Sequence, residues 1–139
     1  MNIKMSLQDK IRIIPRKLIM DERGWFLKTI TGKEEGLPSY TGEVYLTMGK
    51  SGQLKGGHYH PVANEWFTLI EGESVLLLED VNSKERMEIP LRFEDAKTIF
   101  VPSGVAHAFL NEGEKDFIVL AYTDQLYQPE DTINYTLKP

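Results

Sequence analysis

Residues 11 to 122 never hold a helical period long enough to build an amphipathic helix. Apolar residues come in short runs instead, and Gly, Pro, Asn or Asp closes each one. That punctuation restricts the chain to short strands and tight turns. Runs at 11–14 and 17–20 are broken by Pro15, and 25–31 follows a turn at 21–24. Residues 32–42, GKEEGLPSYTG, are the one long loop and the expected place for a substrate-covering segment. Residues 43–48 alternate, with Val44, Leu46 and Met48 on one face and Tyr45 and Thr47 on the other. Further strands are read at 53–60, 66–70, 74–79, 86–91, 98–101, 106–110 and 117–122. Hairpins are expected around 71–73 and 111–114, and the tail at 123–139 holds a helical turn or an edge strand. About ten strands with no covering helix must close on themselves as a sandwich or barrel.

With 139 residues, the chain suits one domain, 1–139, with one core. A net charge of −5 without a basic stripe argues against nucleic acid, while one or two placed cations still suffice for a small anion. No apolar run approaches a membrane span, and the first fifteen residues lack a signal peptide's apolar region, so a cytoplasmic protein is expected. Cysteine is absent, which excludes disulfides.

All three histidines fall in two glycine-rich stretches. On a strand His58 and His60 point the same way, with Gly56 beside them leaving space. Glu65 opens the next strand, and Phe67 and Leu69 on its face are apolar. A carboxylate there needs a partner, a hydrogen bond or a metal. Three imidazoles and a carboxylate suit Zn²⁺, Mn²⁺, Fe²⁺, Ni²⁺ or Cu²⁺.

The spacing Gly52, His58, His60, Glu65, Gly72 resembles the first cupin motif, and Pro102, Gly104, His107, Asn111 the second. The glycine usual six positions before Pro102 is Ala96. The resemblance implies an all-β cupin fold, a double-stranded β-helix or jelly-roll barrel, with His58, His60, Glu65 and His107 as ligands of one divalent ion. Residues 21–26, DERGWF, are similar to the D-x-R-G-x-F element of the RmlC-like dTDP-4-dehydrorhamnose 3,5-epimerases, implying a phosphate- or base-binding role for Arg23. Lys55-Gly56-Gly57-His58-Tyr59 is similar to their R-G-x-H-Y segment, whose histidine is the base. Tyr122 and Tyr127-x-Pro129 resemble the region carrying their tyrosine acid. His60 replaces their usual glutamine, and the aspartate that pairs with their base has no counterpart.

The H-Y-H-x-x-x-x-E spacing looks closer to the metal-binding C-terminal cupin domain of CapF-type capsular-polysaccharide enzymes. Together these likenesses imply a nucleotide-sugar epimerase or ketoisomerase of surface-polysaccharide biosynthesis. It would remove a proton beside the ketone of a 4-keto-6-deoxy sugar. With metal bound, His58 is a ligand, and the base is water, Glu65 or a tyrosinate. Without metal, His58 is the base and Tyr122 or Tyr127 the acid. Arg23 and Lys55 are the substrate-binding candidates. A cupin phosphosugar isomerase, an Fe²⁺ dioxygenase and a non-catalytic metal- or sugar-binding cupin are the other readings. A homodimer is expected, because apolar outer faces of the N-terminal strands need cover.

Overall fold

A computed structural model describes residues 5–40 and 42–139; residues 1–4, and Thr41 in the expected loop, lie outside the described residues. The apolar runs become strands β1 (Arg12–Pro15), β2 (Ile19–Asp21), β3 (Gly24–Phe26), β4 (Glu43–Gly49), β5 (Leu54–Tyr59) and β6 (Glu65–Glu71). β7 (Glu73–Asp80), β8 (Arg86–Arg92), β9 (Lys97–Val101), β10 (Val105–Leu110), β11 (Phe117–Thr123) and β12 (Ile133–Asn134) complete the set. One sheet runs β1-β9-β6-β11-β4, the other β12-β5-β10-β7-β8, and β2-β3 stands apart as a hairpin. Every pairing is antiparallel. This is the all-β jelly roll expected of a cupin.

Alternation sends Phe67, Leu69, Leu76, Leu78, Ile99, Val101, Phe109, Phe117 and Val119 into one core between the sheets. A single helical turn, α1 (Leu7–Lys10), adds Leu7 to that core. Ser6 caps it, its hydroxyl accepting from the Asp9 N–H at 3.2 Å. Among the described residues no helix is long and apolar enough to cross a membrane.

Both expected hairpins are corrected. β6 pairs with β9 and β11, whereas β7 pairs with β10 and β8. Likewise β10 and β11 lie in different sheets. Turn residues announce that the chain reverses, but not which strand it then meets. Each of these turns carries the chain from one sheet to the other. Gly72 makes the first crossing at φ +79°, and a Cβ there would lie 2.6 Å from the Asp116 carbonyl oxygen. Gly72→Ala should therefore cost about 1–3 kcal/mol, from the left-handed backbone plus the clash. A urea titration would show it as a lower midpoint at unchanged slope.

The strand expected at 25–31 ends at Phe26. The chain beyond it lies on the outer face of the first sheet, where Ile30 and Leu37 cover Trp66, Phe100 and Tyr122. Arg16 fastens it: Nη2 donates to the Thr29 carbonyl and to Glu34 Oε2, both at 2.8 Å. Burial pushes the Glu34 carboxyl up, but hydrogen bonds from Thr31 and Arg16 outweigh this and bring it down to about 2. This part of the loop covers a sheet rather than a substrate. The tail supplies both alternatives read for it, a 3₁₀ turn (Pro129–Asp131) and the edge strand β12 on β5.

Candidate metal centre and its cavity

β5 and β10 pair with His58 directly across from His107, and a register shift follows between His107 and Ala108. Gly56 is what admits that irregularity. A Cβ there would sit 3.0 Å from the His107 carbonyl oxygen, and its φ is +98°. The glycine thus lets backbone approach backbone, instead of leaving room for a ligand.

The three imidazoles converge, with potential donor atoms of His58, His60 and His107 all within 4.8 Å of one another. Glu65 enters from the facing sheet. Its Oε1 lies 2.7 Å from His60 Nε2 and 3.4 Å from His107 Nε2. Despite these distances, none of the three buried atoms makes a hydrogen bond of acceptable geometry. Buried polar atoms left this way are costly. Atoms that crowd together without bonding one another suit a shared ligand at the centre.

The outer nitrogens are spoken for. His60 Nδ1 lies 2.7 Å from the Asp131 carbonyl oxygen, and His107 Nδ1 lies 3.3 Å from that of Val105. A carbonyl only accepts, so both rings carry their proton on Nδ1 and turn the Nε2 lone pair inward. The Asp131 carboxylate also accepts from the Val62 and Ala63 N–H groups at 2.7 and 3.0 Å. The 3₁₀ turn thereby locks the chain just after His60.

Electrostatics keep the donors available. Burial lowers His107 to about 4, with the Glu65 charge only partly opposing. Burial, then His60, also lowers His58. Burial alone would lower His60, but the Glu65 carboxylate raises it. Burial would raise Glu65, yet His60, His107 and Tyr45 together hold it below the usual carboxylate range. The Tyr45 hydroxyl donates to Glu65 Oε2 at 2.6 Å. Three nitrogens and one oxygen fit a divalent cation, with His58 and His107 held neutral by burial and His60 giving up any proton to the metal.

A cavity of about 250 Å³ opens over His58, His60 and Glu65. Tyr127 lines it, as do Tyr45, Gln125 and Asp131. Tyr122 does not reach it. It pairs with Trp66 across β11 and β6, so it faces the outer side of the sheet, where its hydroxyl accepts from the Gly42 N–H at 3.3 Å. That single step in strand parity sets Tyr122, one of the two tyrosines expected as acid, outside the cavity that Tyr127 lines. Lys55 is exposed, three residues upstream of His58, and is not in the lining. Arg23 sits in the β2–β3 turn with its guanidinium on Asp21, 2.7 Å from Oδ2. Trp25 of that hairpin packs against Phe93, whose N–H bonds the Gly72 carbonyl. Arg23 therefore lies towards the opposite end of β6 from Glu65. Within one chain, neither cation is brought to the site.

Sequence reasoning missed Tyr45 and Asp131. Tyr45 had a signal, as a polar-tipped residue on the inward face of β4. Asp131 had none, because its role depends on where the tail folds back.

The likenesses to known proteins follow this geometry. The dTDP-4-dehydrorhamnose 3,5-epimerase of Methanothermobacter thermautotrophicus is 29% identical over 138 residues, 92% of this chain and 74% of that protein. The solved dTDP-6-deoxy-D-glucose-3,5-epimerase of Legionella pneumophila, in complex with dTDP-4-keto-L-rhamnose, superposes with a TM-score of 0.80 at 22% identity, over 96% of this chain and 76% of that one. The capsular polysaccharide assembling protein CapF of Staphylococcus aureus gives 0.67 at 26% identity, over 88% of this chain but only 33% of its own. The family model for the polysaccharide biosynthesis C-terminal domain matches residues 19–135, which span the barrel from β2 to the tail that closes on His60, and the chain belongs to that family.

Proposed function

We propose that this protein is an isomerase-class enzyme of polysaccharide biosynthesis. It epimerises, or moves the ketone of, a nucleotide-linked 4-keto-6-deoxy sugar beside that ketone. The observation that carries this reading is the convergence of orphaned donor atoms from His60, Glu65 and His107 beside an open cavity that His58, His60 and Glu65 line. His58, His60, Glu65 and His107 would hold a divalent ion there, whose Lewis acidity would stabilise negative charge developing on the ketone oxygen. As a ligand, His58 is not a free base. Tyr127, at the cavity wall, would as a tyrosinate take the proton from the neighbouring carbon, and water on the opposite face would return one, inverting the centre.

Glu43, Glu65 and Asp131 line the cavity, and no Lys or Arg does so among the described residues. Such a wall repels a diphosphate. The cavity therefore takes the sugar ring, while the nucleotide lies beyond its mouth. A homodimer belongs to the same reading. On β4, Val44, Leu46 and Met48 are 62%, 63% and 42% exposed, an apolar row on an edge strand that a second copy would cover.

The test follows deuterium uptake from D₂O into a dTDP- or UDP-linked 4-keto-6-deoxy sugar by NMR. Uptake is expected, to fall at least about tenfold after chelation, and to return when a divalent ion is restored. Chelation-insensitive uptake would point to His58 as a base. No uptake with metal-replete protein would overturn the enzyme assignment.

A further inference from the structure

Glu65 has two oxygens in different situations. Oε1 faces the imidazoles without a hydrogen bond, while Oε2 accepts from the Tyr45 hydroxyl at 2.6 Å. Tyr45 is not on a neighbouring strand. β11 lies between β4 and β6, so the two residues belong to strands about 10 Å apart. The phenol crosses that gap because the middle strand presents a small residue to it. Ala121 pairs directly with Tyr45 on one side and with Phe67 on the other. It is fully buried and has only a methyl group to place beneath the ring. A side chain much shorter than tyrosine would not span to Glu65.

We infer that Tyr45 is a positioning residue for Glu65: by occupying Oε2 it commits Oε1 to the three-histidine cluster. A hydrogen bond to a charged carboxylate is stronger and shorter than a neutral one, so it fixes the torsion of a side chain that is otherwise free to rotate. Without the hydroxyl, the carboxylate can swing and present either oxygen, or both, to the cluster. Tyr45 also lines the cavity, so the constraint acts at the boundary between cluster and substrate space. Partners of this kind set the orientation and basicity of the groups that meet a metal.

The inference rests on the metal reading above, and its test uses Co²⁺ alone as the probe, on the whole chain. Visible absorption reports the donor set, and competition with a chelator of known affinity gives Kd. Tyr45→Phe is expected to weaken Co²⁺ binding about 10- to 100-fold and to alter the visible bands. Its ring stays in place, and Tyr45 is partly exposed, so the fold should persist. A second variant carries 4-aminophenylalanine at position 45, which retains a donor at the end of the ring. It should recover both spectrum and affinity. Unchanged bands and Kd in Tyr45→Phe, or failure of the amino variant to recover what Tyr45→Phe loses, would overturn the positioning role. Absence of any Co²⁺ spectrum in the unaltered protein would instead defeat the metal reading itself.

Discussion

His107→Asn is expected to empty the protein of bound divalent metal and to slow deuterium exchange into the keto sugar about a thousandfold. That factor corresponds to ~4 kcal/mol of lost transition-state stabilisation. His107 is the most enclosed of the three histidines, 3% exposed, on a strand paired on both sides. Burial holds its pKa at about 4, so it is neutral through the working range and has no proton to expel when a metal binds. Because its pKa is depressed, protons compete for His107 only as pH falls towards 4. His60, which Glu65 raises, meets that competition at higher pH. Metal retention should therefore weaken on acidification first through His60, and strengthen as pH rises. Elemental analysis of the purified variant, beside exchange measured at pH 7.5, checks both parts. His58→Asn and His60→Asn should fall by similar factors. Exchange that survives His107→Asn but not His58→Asn would sink the metal reading and leave His58 as a base.

What could be read beforehand depended on how far apart in sequence the cause lay. The histidine pair and Glu65 are legible because strand parity is local: two residues apart means one face. His107 is legible by its motif, and the structure sets it directly across from His58. Barrel closure follows from short runs without helices. Strand partnership does not, since β6 and β7 are joined by Gly72 alone yet lie in different sheets. Tyr122 shows the limit of resemblance. It stands one residue from Thr123, which lines the cavity, and that offset turns its ring to the outer face. Segment 32–42 reads as a substrate-covering loop, but the role of its first part depends on Arg16, which holds Glu34 and reaches Thr98 Oγ1 at 2.9 Å from far away in sequence. Asp131 acts through a contact 68 residues distant, beyond any local pattern, whereas for Tyr45 the alternation of β4 gave the face but not its partner Glu65, 20 residues on.

Phe67→Ala should cost about 3–5 kcal/mol of folding stability, the range for removing a buried aromatic side chain. For a domain that begins with about 5–15 kcal/mol, this is about a fifth of the total or more. Phe67 is 1% exposed and projects inward between Glu65 and Leu69 on β6. Its ring lies 5.1 Å from that of Phe109 and 5.2 Å from the His107 imidazole. Truncation thus opens a void directly against a proposed ligand, and the loss should extend beyond stability. With the cavity beside it, His107 can tilt, and metal affinity should fall even at temperatures where the variant is fully folded. Trp66→Ala is the control, because Trp66 is equally buried but faces the other way, against Phe100 and Tyr122. It should lose comparable stability and keep its metal. Urea titrations and Co²⁺ competition on both variants separate the effects. If the two lose metal affinity equally, global loosening of the barrel explains the result; if only Phe67→Ala does, the core ring supports the site directly.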